Sequence, residues 1–259
     1  MEEIDRWLPL MGVAMMRPLG ALVFLPLFGP AMLGGTLIRN GLVMMATLPV
    51  LPLLATSLLP NPMQAPGAYI VLLGSEFVIG LVLGFSAAIP FWAADTAGFL
   101  LDTLRGASMA GVLNPMIGGQ SSPLGALVSQ LLAVLFMVLG GFHAFLSALY
   151  GSYEILIPGA SWHWAAQFIP ALEREWHLLY TLALGFALPA IVMMVLVDLA
   201  LGLINRSVQQ LNVFSLSMPI KSAMALLMLI IGLQFGLFDI IACLERFDGG
   251  LIHLLEPGR

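Results

Sequence analysis

Acidic side chains inside apolar sequence are the residues of this chain most suited to chemistry. Glu76, Asp95 and Asp198 all lie within or beside long apolar stretches. Carboxyl groups at such positions are costly, and they mark proton relays, ion pathways or paired contacts between helices. Two interpretations follow. These residues are coupling carboxylates of a secondary transporter or ion channel, or they are partners in polar contacts between helices or subunits.

Enzyme motifs are absent from the sequence. It contains no H-E-x-x-H zinc motif, no G-x-S-x-G nucleophile elbow and no phosphate-binding P-loop. Asp95 and Asp198 could meet as in an intramembrane aspartyl protease, but neither lies in a YD or GxGD sequence. The single cysteine excludes a disulfide framework and a cysteine-based metal site. We therefore predict that the protein is not an enzyme and that it has no catalytic, cofactor-binding or metal-binding residues.

The composition is that of a membrane protein. Hydrophobic residues make up 60% of the 259 residues and charged residues only 9%, whereas soluble domains carry about 25% charged residues. The net charge of −5 and the lack of a basic cluster argue against nucleic-acid binding. The acidic opening MEEIDRW is unlike a signal peptide, so we expect the first apolar stretch to be retained.

Six apolar stretches are long enough, or nearly so, for the roughly 20 residues of a membrane-spanning helix. Prolines interrupt several of them, including Pro18, Pro49, Pro52 and Pro189, and proline breaks or kinks a helix. The sequence thus predicts an all-α polytopic membrane protein of about six broken hydrophobic helices or hairpins. We expect one domain over residues 1–259. The stretches cover residues 7–28, 41–59, 68–90, 124–150, 178–204 and 218–243.

Charged residues of the N-terminal half have candidate partners. Arg17 precedes Pro18, and we expect it either to bond backbone carbonyls freed by a broken helix or to pair across subunits. Glu76 lies one turn before Gly80 and Gly84, whose spacing lets two helices approach closely. We therefore expect the Glu76 carboxyl group to contact a neighbouring helix.

Residues 91–104 form an amphipathic continuation of the third stretch. Asp95 and Asp102 are seven residues apart and hence on one helix face, and Arg105 follows Asp102 at a spacing that allows an ion pair. One side of this helix must therefore meet water or protein.

Polar residues also follow the fifth stretch. On a helix, Asp198, Asn205, Gln209 and Asn212 fall within roughly 40° of one line, and this line is expected to face other protein or a wet lumen. Arg206 and Lys221 are cations close to this line. The sequence therefore predicts a set of polar contacts between helices or between subunits. The set consists of Arg17, Glu76, Asp95, Asp102, Arg105, Asp198, Asn205, Arg206, Gln209, Asn212 and Lys221.

The connector Gly106–Gly125 combines loop residues with apolar ones. Its five glycines, two prolines and three serines disfavour regular structure. It nevertheless carries large apolar side chains, so it is either tucked into protein or used as a movable seal, for which methionine is suited because it packs adaptably. These side chains are Met109, Val112, Leu113, Met116 and Ile117.

Three segments resemble one family of export-apparatus membrane proteins. DLALGL and NRSVQQLNVFSLSMPIK, within residues 198–221, look like the C-terminal signature of the FliR/SctT family of flagella and type III secretion systems. IPFWAADTAGFLLDTLRGASMAGVLNP, residues 89–115, is similar to its central segment and fits the injectisome branch better than the flagellar one. RPLGALVFLPLF, residues 17–28, is a weaker match.

The resemblance implies an all-helical subunit of a helical, cone-like export gate at the bacterial inner membrane. Its partners would be several copies of FliP/SctR-type and FliQ/SctS-type small membrane proteins, with the SctU-type switch protein and the FlhA/SctV-type export gate protein nearby. The gate would conduct unfolded secreted proteins and use partner energy sources. A loop of the family plugs the closed channel, and its matching position is residues 106–120. The five apolar connector residues named above would then be gasket residues.

Overall fold

The chain is almost entirely helical in a computed structural model that describes residues 2–29, 35–54, 59–60, 62–107, 122–207, 212–245 and 247–257. The all-α prediction is confirmed. The α-helices are α1 (Glu2–Phe24), α2 (Thr36–Thr47), α3 (Leu51–Leu54), α4 (Pro66–Leu104), α5 (Pro123–Val138), α6 (Gly141–Ile155), α7 (Phe168–Ser207) and α8 (Val213–Glu245). Short 3-10 helices cover Pro26–Phe28, Leu48–Val50 and Gly250–Leu254, and two strands cover β1 (Trp162–Trp164) and β2 (Leu255–Pro257).

Long apolar helices confirm the polytopic prediction. Among the described residues, five helical segments are long and apolar enough to cross a membrane, and the pair α5 and α6 brings the number up to six. The two helices are separated at Gly140, which has a left-handed backbone with a φ of 84°. The fourth apolar stretch is therefore two helices rather than one.

Prolines break one predicted helix and leave another intact. The second apolar stretch passes from α2 through a 3-10 turn into α3 at Pro49 and Pro52, as predicted. The predicted break at Arg17 and Pro18 is wrong, because α1 continues through Pro18. Proline cannot donate to the carbonyl four residues earlier, and the Tyr153 hydroxyl donates to that carbonyl, on Ala14, at 2.9 Å.

The described chain forms two compact units, Met1–Ile89 with Met137–Trp176 and Leu244–Arg259, and Pro90–Phe136 with His177–Cys243. In the first unit, α1 and α4 approach each other backbone to backbone. A Cβ atom added to Gly80 or Gly84 would overlap the α1 backbone, so glycine at these positions allows the close approach. The strands β1 and β2 of this unit are antiparallel. The single domain over residues 1–259 stays a prediction.

In the second unit, α5 packs on the end of α4. Gly98 and Gly125 bring the two backbones into contact, and the Phe91 and Phe136 rings meet edge to face at 5.4 Å between centroids. By contrast, only 6% of residues 215–233 in α8 are buried. Much of the apolar surface of α8 is thus left uncovered by the described residues.

Candidate functional site

A buried carboxylate joins the two ends of the connector. Asp102, near the end of α4, is 2% exposed. Its Oδ2 accepts hydrogen bonds from the Ser122 hydroxyl at 2.7 Å and from the Leu124 backbone N–H at 2.9 Å. Its Oδ1 accepts from Arg105, whose Nη2 lies 2.6 Å away. We call Asp102, Arg105, Ser122 and Leu124 the clasp.

Local sequence explains both ends of the clasp. At the C-terminus of α4, Gly106 takes a left-handed backbone with a φ of 81°, and the Gly106 and Ala107 N–H groups donate to the carbonyls of Thr103 and Asp102. This is the glycine-ended cap that commonly stops a helix. At the start of α5, Ser122 accepts from the Gly125 N–H at 2.9 Å.

Ser122 and Pro123 form an ordinary helix start, since serine is a favoured N-cap and proline has no N–H to leave unpaired at the first helical position. The Asp102 charge is also favourable beside the positive end of the α5 dipole. The Ser-Pro pair could have signalled the cap, but sequence reasoning missed Ser122 and Leu124 as partners of Asp102.

Asp95 lies near the same helix start. A Cβ added to Gly125 would lie 2.9 Å from Asp95 Oδ1, so this carboxylate reaches the first turn of α5. Its side chain is exposed. The predicted gasket residues themselves, Met109, Val112, Leu113, Met116 and Ile117, lie outside the described residues.

A second polar cluster surrounds Arg17 in the first unit. The Arg17 side chain is fully buried and forms an ion pair with Glu76 of α4, which is 2% exposed. Its Nη1 donates to the Ser152 carbonyl at 2.7 Å, and its Nη2 donates to the Leu156 carbonyl. The guanidinium also lies 4.3 Å from the centre of the Tyr153 ring. One side chain thus joins α1, α4 and the C-terminal end of α6.

The contacts of Arg17 match the hydrogen-bonding geometry of a guanidinium group. Its planar fork makes several hydrogen bonds in fixed directions, and a cation is favourable where a helix ends with free carbonyls. Sequence reasoning found Arg17 and Glu76 but not Ser152, Tyr153 or Leu156. The C-terminal end of α6 lies in a stretch with few charges, so no pattern marked it as the acceptor.

A third ion pair joins α7 to α8 in the second unit. Lys221 Nζ lies 2.7 Å from Asp198 Oδ1, and the side chain of Asp198 is 51% exposed while that of Lys221 is 17% exposed. Near the end of α7, Asn205 and Arg206 are exposed. Asp198, Asn205 and Arg206 of α7 are therefore accessible to other molecules.

The predicted polar line along one helix after Asp198 is wrong. The helix α7 ends at Ser207, and Asn212 begins the next helix, with its side chain accepting from the Ser215 N–H at 3.3 Å. Asparagine favours such a cap over a helix interior because its side chain competes for backbone groups. Gln209 lies outside the described residues.

Two hollows occur in the first unit. One, of about 190 Å³, lies among apolar residues of α1, α2 and α6, such as Leu22, Met45 and Phe145. The other, of about 490 Å³, is bordered by α6 and the C-terminal segment and includes His143, Glu154 and Asp248. Within the part of the chain that the structure describes, no three His, Cys, Asp or Glu residues are placed to hold a metal ion.

Comparison with known proteins identifies the family. The family model described as "Bacterial export proteins, family 1" matches residues 8–244. The chain belongs to this family. It is 44% identical over 246 residues to the "Secretion system apparatus protein SsaT" of Salmonella typhimurium, covering 95% of each chain. It is 39% identical over 235 residues to the "Yop proteins translocation protein T" of Yersinia pestis, covering 86% of each.

A flagellar relative is more distant. The "Flagellar biosynthetic protein FliR" of Bacillus subtilis is 28% identical over 174 residues, which is 66% of this chain and 67% of the relative. The recognition of the FliR/SctT family from the two long motifs is confirmed. The chain thus belongs to a family of bacterial export proteins, and its long apolar helices indicate an integral membrane protein.

Proposed function

We propose that the protein is a core subunit of the type III secretion export gate in the bacterial inner membrane, where it helps form and plug the channel for unfolded secreted proteins. The clasp is the observation that carries this proposal. A connector whose sequence carries several glycines and two methionines joins two helix ends that one buried carboxylate holds together. Such a connector is suited to seal a pore because the helix ends on either side of it are held together, while its methionine side chains can adapt their packing.

Uncovered apolar surface supports assembly with other membrane proteins. In the apolar segment of α7, only 22% of the residues are buried, and the exposed side chains include Leu188, Val192 and Leu199. In α8, Leu227 and Ile230 are exposed. Membrane helices associate by close packing rather than by a hydrophobic driving force. We propose that FliP/SctR-type and FliQ/SctS-type subunits cover part of this surface, with the SctU-type and FlhA/SctV-type proteins nearby.

The transporter alternative gains no support from Glu76. A coupling carboxylate must be available to a proton or ion, whereas Glu76 is buried against Arg17; Asp198 is half exposed and forms an ion pair with Lys221. Pairing offsets the cost of charges in an apolar environment. The same pairs fit a passive conduit subunit whose charges hold helices together and whose energy comes from its partners.

Co-purification tests the proposal. The tagged chain is extracted in mild detergent from cells that express the neighbouring secretion genes, and native mass spectrometry identifies what accompanies it. We expect a discrete complex with several copies of two small membrane proteins. We expect the charge reversal Arg206→Glu to abolish it, because Arg206 is exposed at the end of α7 and we propose that it pairs with an acidic residue of a partner subunit, which a glutamate would repel. Arg174→Glu, on the exposed surface of the first unit, is the control.

A clean monomer or homodimer, obtained while the small membrane proteins are present in the same extract, would contradict the proposal. It would favour the transporter interpretation, which predicts that the purified chain alone moves a small solute in liposomes.

A further inference from the structure

We infer that the apolar hollow among α1, α2 and α6 binds an acyl chain of one anionic phospholipid, whose headgroup phosphate pairs with Arg39. The hollow has a volume of about 190 Å³ and lies within the first unit. Its lining is suited to hydrocarbon, and Arg39 lies on the face of α2 that borders it.

The inside of the hollow is apolar and formed by the core of the unit. Four of its lining side chains are at most 6% exposed, namely Leu22, Phe28, Phe145 and Leu149. Among the described lining residues, the only side-chain oxygen or nitrogen is the Tyr150 hydroxyl. A buried water needs two to four polar partners, and a dry apolar cavity of about 150 Å³ in another protein binds benzene. The hollow therefore favours hydrocarbon over water.

The hollow is continuous with an apolar outer face of α2. Met45 lines the hollow and is 69% exposed. On the same side of the helix, Leu37, Ile38 and Leu48 are also exposed. An acyl chain that lies along this face in a membrane can thus enter the hollow past Met45.

Packing and charge must select the lipid, because moving an acyl chain from a bilayer into an apolar hollow brings no hydrophobic driving force. The atoms around a void lack van der Waals partners on one side. A chain that enters the hollow restores those contacts. Selection among lipids then depends on the headgroup.

Arg39 supplies the charge for a headgroup. It is half-buried and precedes Leu42 and Ala46 of the hollow by three and seven residues, so all three share one helix face. Arg39 forms no ion pair with another residue that the structure describes. Because helix side chains lean toward the N-terminus, we expect its guanidinium group beyond the hollow, near Gly35, where the helix dipole is also positive. Hydrocarbon beside a cation matches the two ends of an anionic phospholipid.

Two substitutions separate the acyl chain from the headgroup. Ala46→Phe places a ring in the hollow and leaves Arg39 unchanged, and Met44→Phe, which adds the same ring on the exposed face of α2, is its control. Arg39→Gln removes the charge and keeps a hydrogen-bonding side chain. Its control is Arg174→Gln, at an exposed position of the same unit.

The test titrates the full chain in mild detergent, alone and with the proteins that co-purify with it. The probes are phosphatidylglycerol, which is anionic, and phosphatidylethanolamine with the same acyl chains, which has no net charge. Native mass spectrometry counts the bound lipids. We expect one phosphatidylglycerol per chain, bound more tightly than phosphatidylethanolamine, in both preparations.

Each variant has its own expected result. Arg39→Gln should weaken phosphatidylglycerol binding about fivefold, which is the factor for one cation at an anionic lipid surface, and should leave phosphatidylethanolamine binding unchanged. Ala46→Phe should weaken the binding of both lipids. Met44→Phe and Arg174→Gln should bind both lipids like the wild type.

Equal binding of the two lipids by the wild type, or wild-type binding of phosphatidylglycerol by Arg39→Gln, would overturn the inference. Loss of the lipid on assembly would also overturn it, because a partner's side chain would then fill the hollow. If Ala46→Phe does not fold, the thermal unfolding midpoint decides. Phosphatidylglycerol should raise the wild-type midpoint, since a ligand of the folded state stabilises it, and should raise that of Arg39→Gln less. Equal rises would reject the inference.

Discussion

Replacing Arg17 with methionine is expected to prevent the folded chain from accumulating. The change leaves the Glu76 carboxylate buried without its cation and removes the donors to the Ser152 and Leu156 carbonyls. Removing one partner of a buried ion pair costs about 3–5 kcal/mol, against a typical total stability of about 5–15 kcal/mol. The thermal unfolding midpoint and the folded yield in detergent measure the effect.

A cycle of variants separates the charge from the hydrogen bonds. The double variant Arg17→Met with Glu76→Met removes both charges, so we expect it to recover part of the stability lost by Arg17→Met alone. It should not recover all of it, because the Ser152 and Leu156 carbonyls still lack Arg17. Arg174→Met, an exposed arginine on α7, is the control and should melt near the wild type. An Arg17→Met chain with a wild-type midpoint would refute the role of this cluster.

Replacing Gly80 with alanine is expected to separate α1 from α4. The added Cβ would lie 2.9 Å from the Arg17 Cα and 3.0 Å from its carbonyl carbon. These are backbone atoms that cannot rotate away, so the helices must shift. Overpacking typically costs about 1–3 kcal/mol, and movement of α1 also displaces Arg17 from Glu76. The loss should appear as a lower unfolding midpoint.

Gly74→Ala is the matched control for this effect. Gly74 lies on the same helix with no atom within 4 Å of its added Cβ, and alanine is favoured over glycine in a helix by about 1 kcal/mol. It should therefore keep or raise the midpoint. Equal midpoints for the two alanine variants would show that the close contact at Gly80 is not needed.

Residue spacing along a single helix predicted contacts correctly, whereas contacts between residues far apart in the sequence could not be predicted. The separation of Asp102 and Arg105 indicated an ion pair, and the glycines at positions 80 and 84 indicated close packing, because both signals repeat with the helical turn. The reach from Asp102 to Ser122 could not be read in this way, since it depends on where the chain returns after the connector. Nor could the intact helix at Pro18, because the group that satisfies the freed Ala14 carbonyl, Tyr153, is 139 residues away in sequence.

Contacts of the C-terminal half were the least predictable. The pairing of Asp198 with Lys221 crosses from α7 to α8, and the end of α7 at Ser207 broke the line of polar residues that a longer helix would have formed. A cap residue such as Asn212 is compatible with a helix interior in sequence, and only the fold shows that it begins a helix.

Photocrosslinking of a stalled substrate shows directly whether the connector lines the channel. A photoreactive amino acid replaces Met109 or Leu113 in secreting cells, and a substrate with a tightly folded end is trapped in the apparatus. We expect substrate adducts at both positions and none at Ile70, an exposed residue of α4 that belongs to the other unit. A substrate shown to be trapped by its adducts with other subunits, yet forming none at Met109 or Leu113, would contradict the proposal.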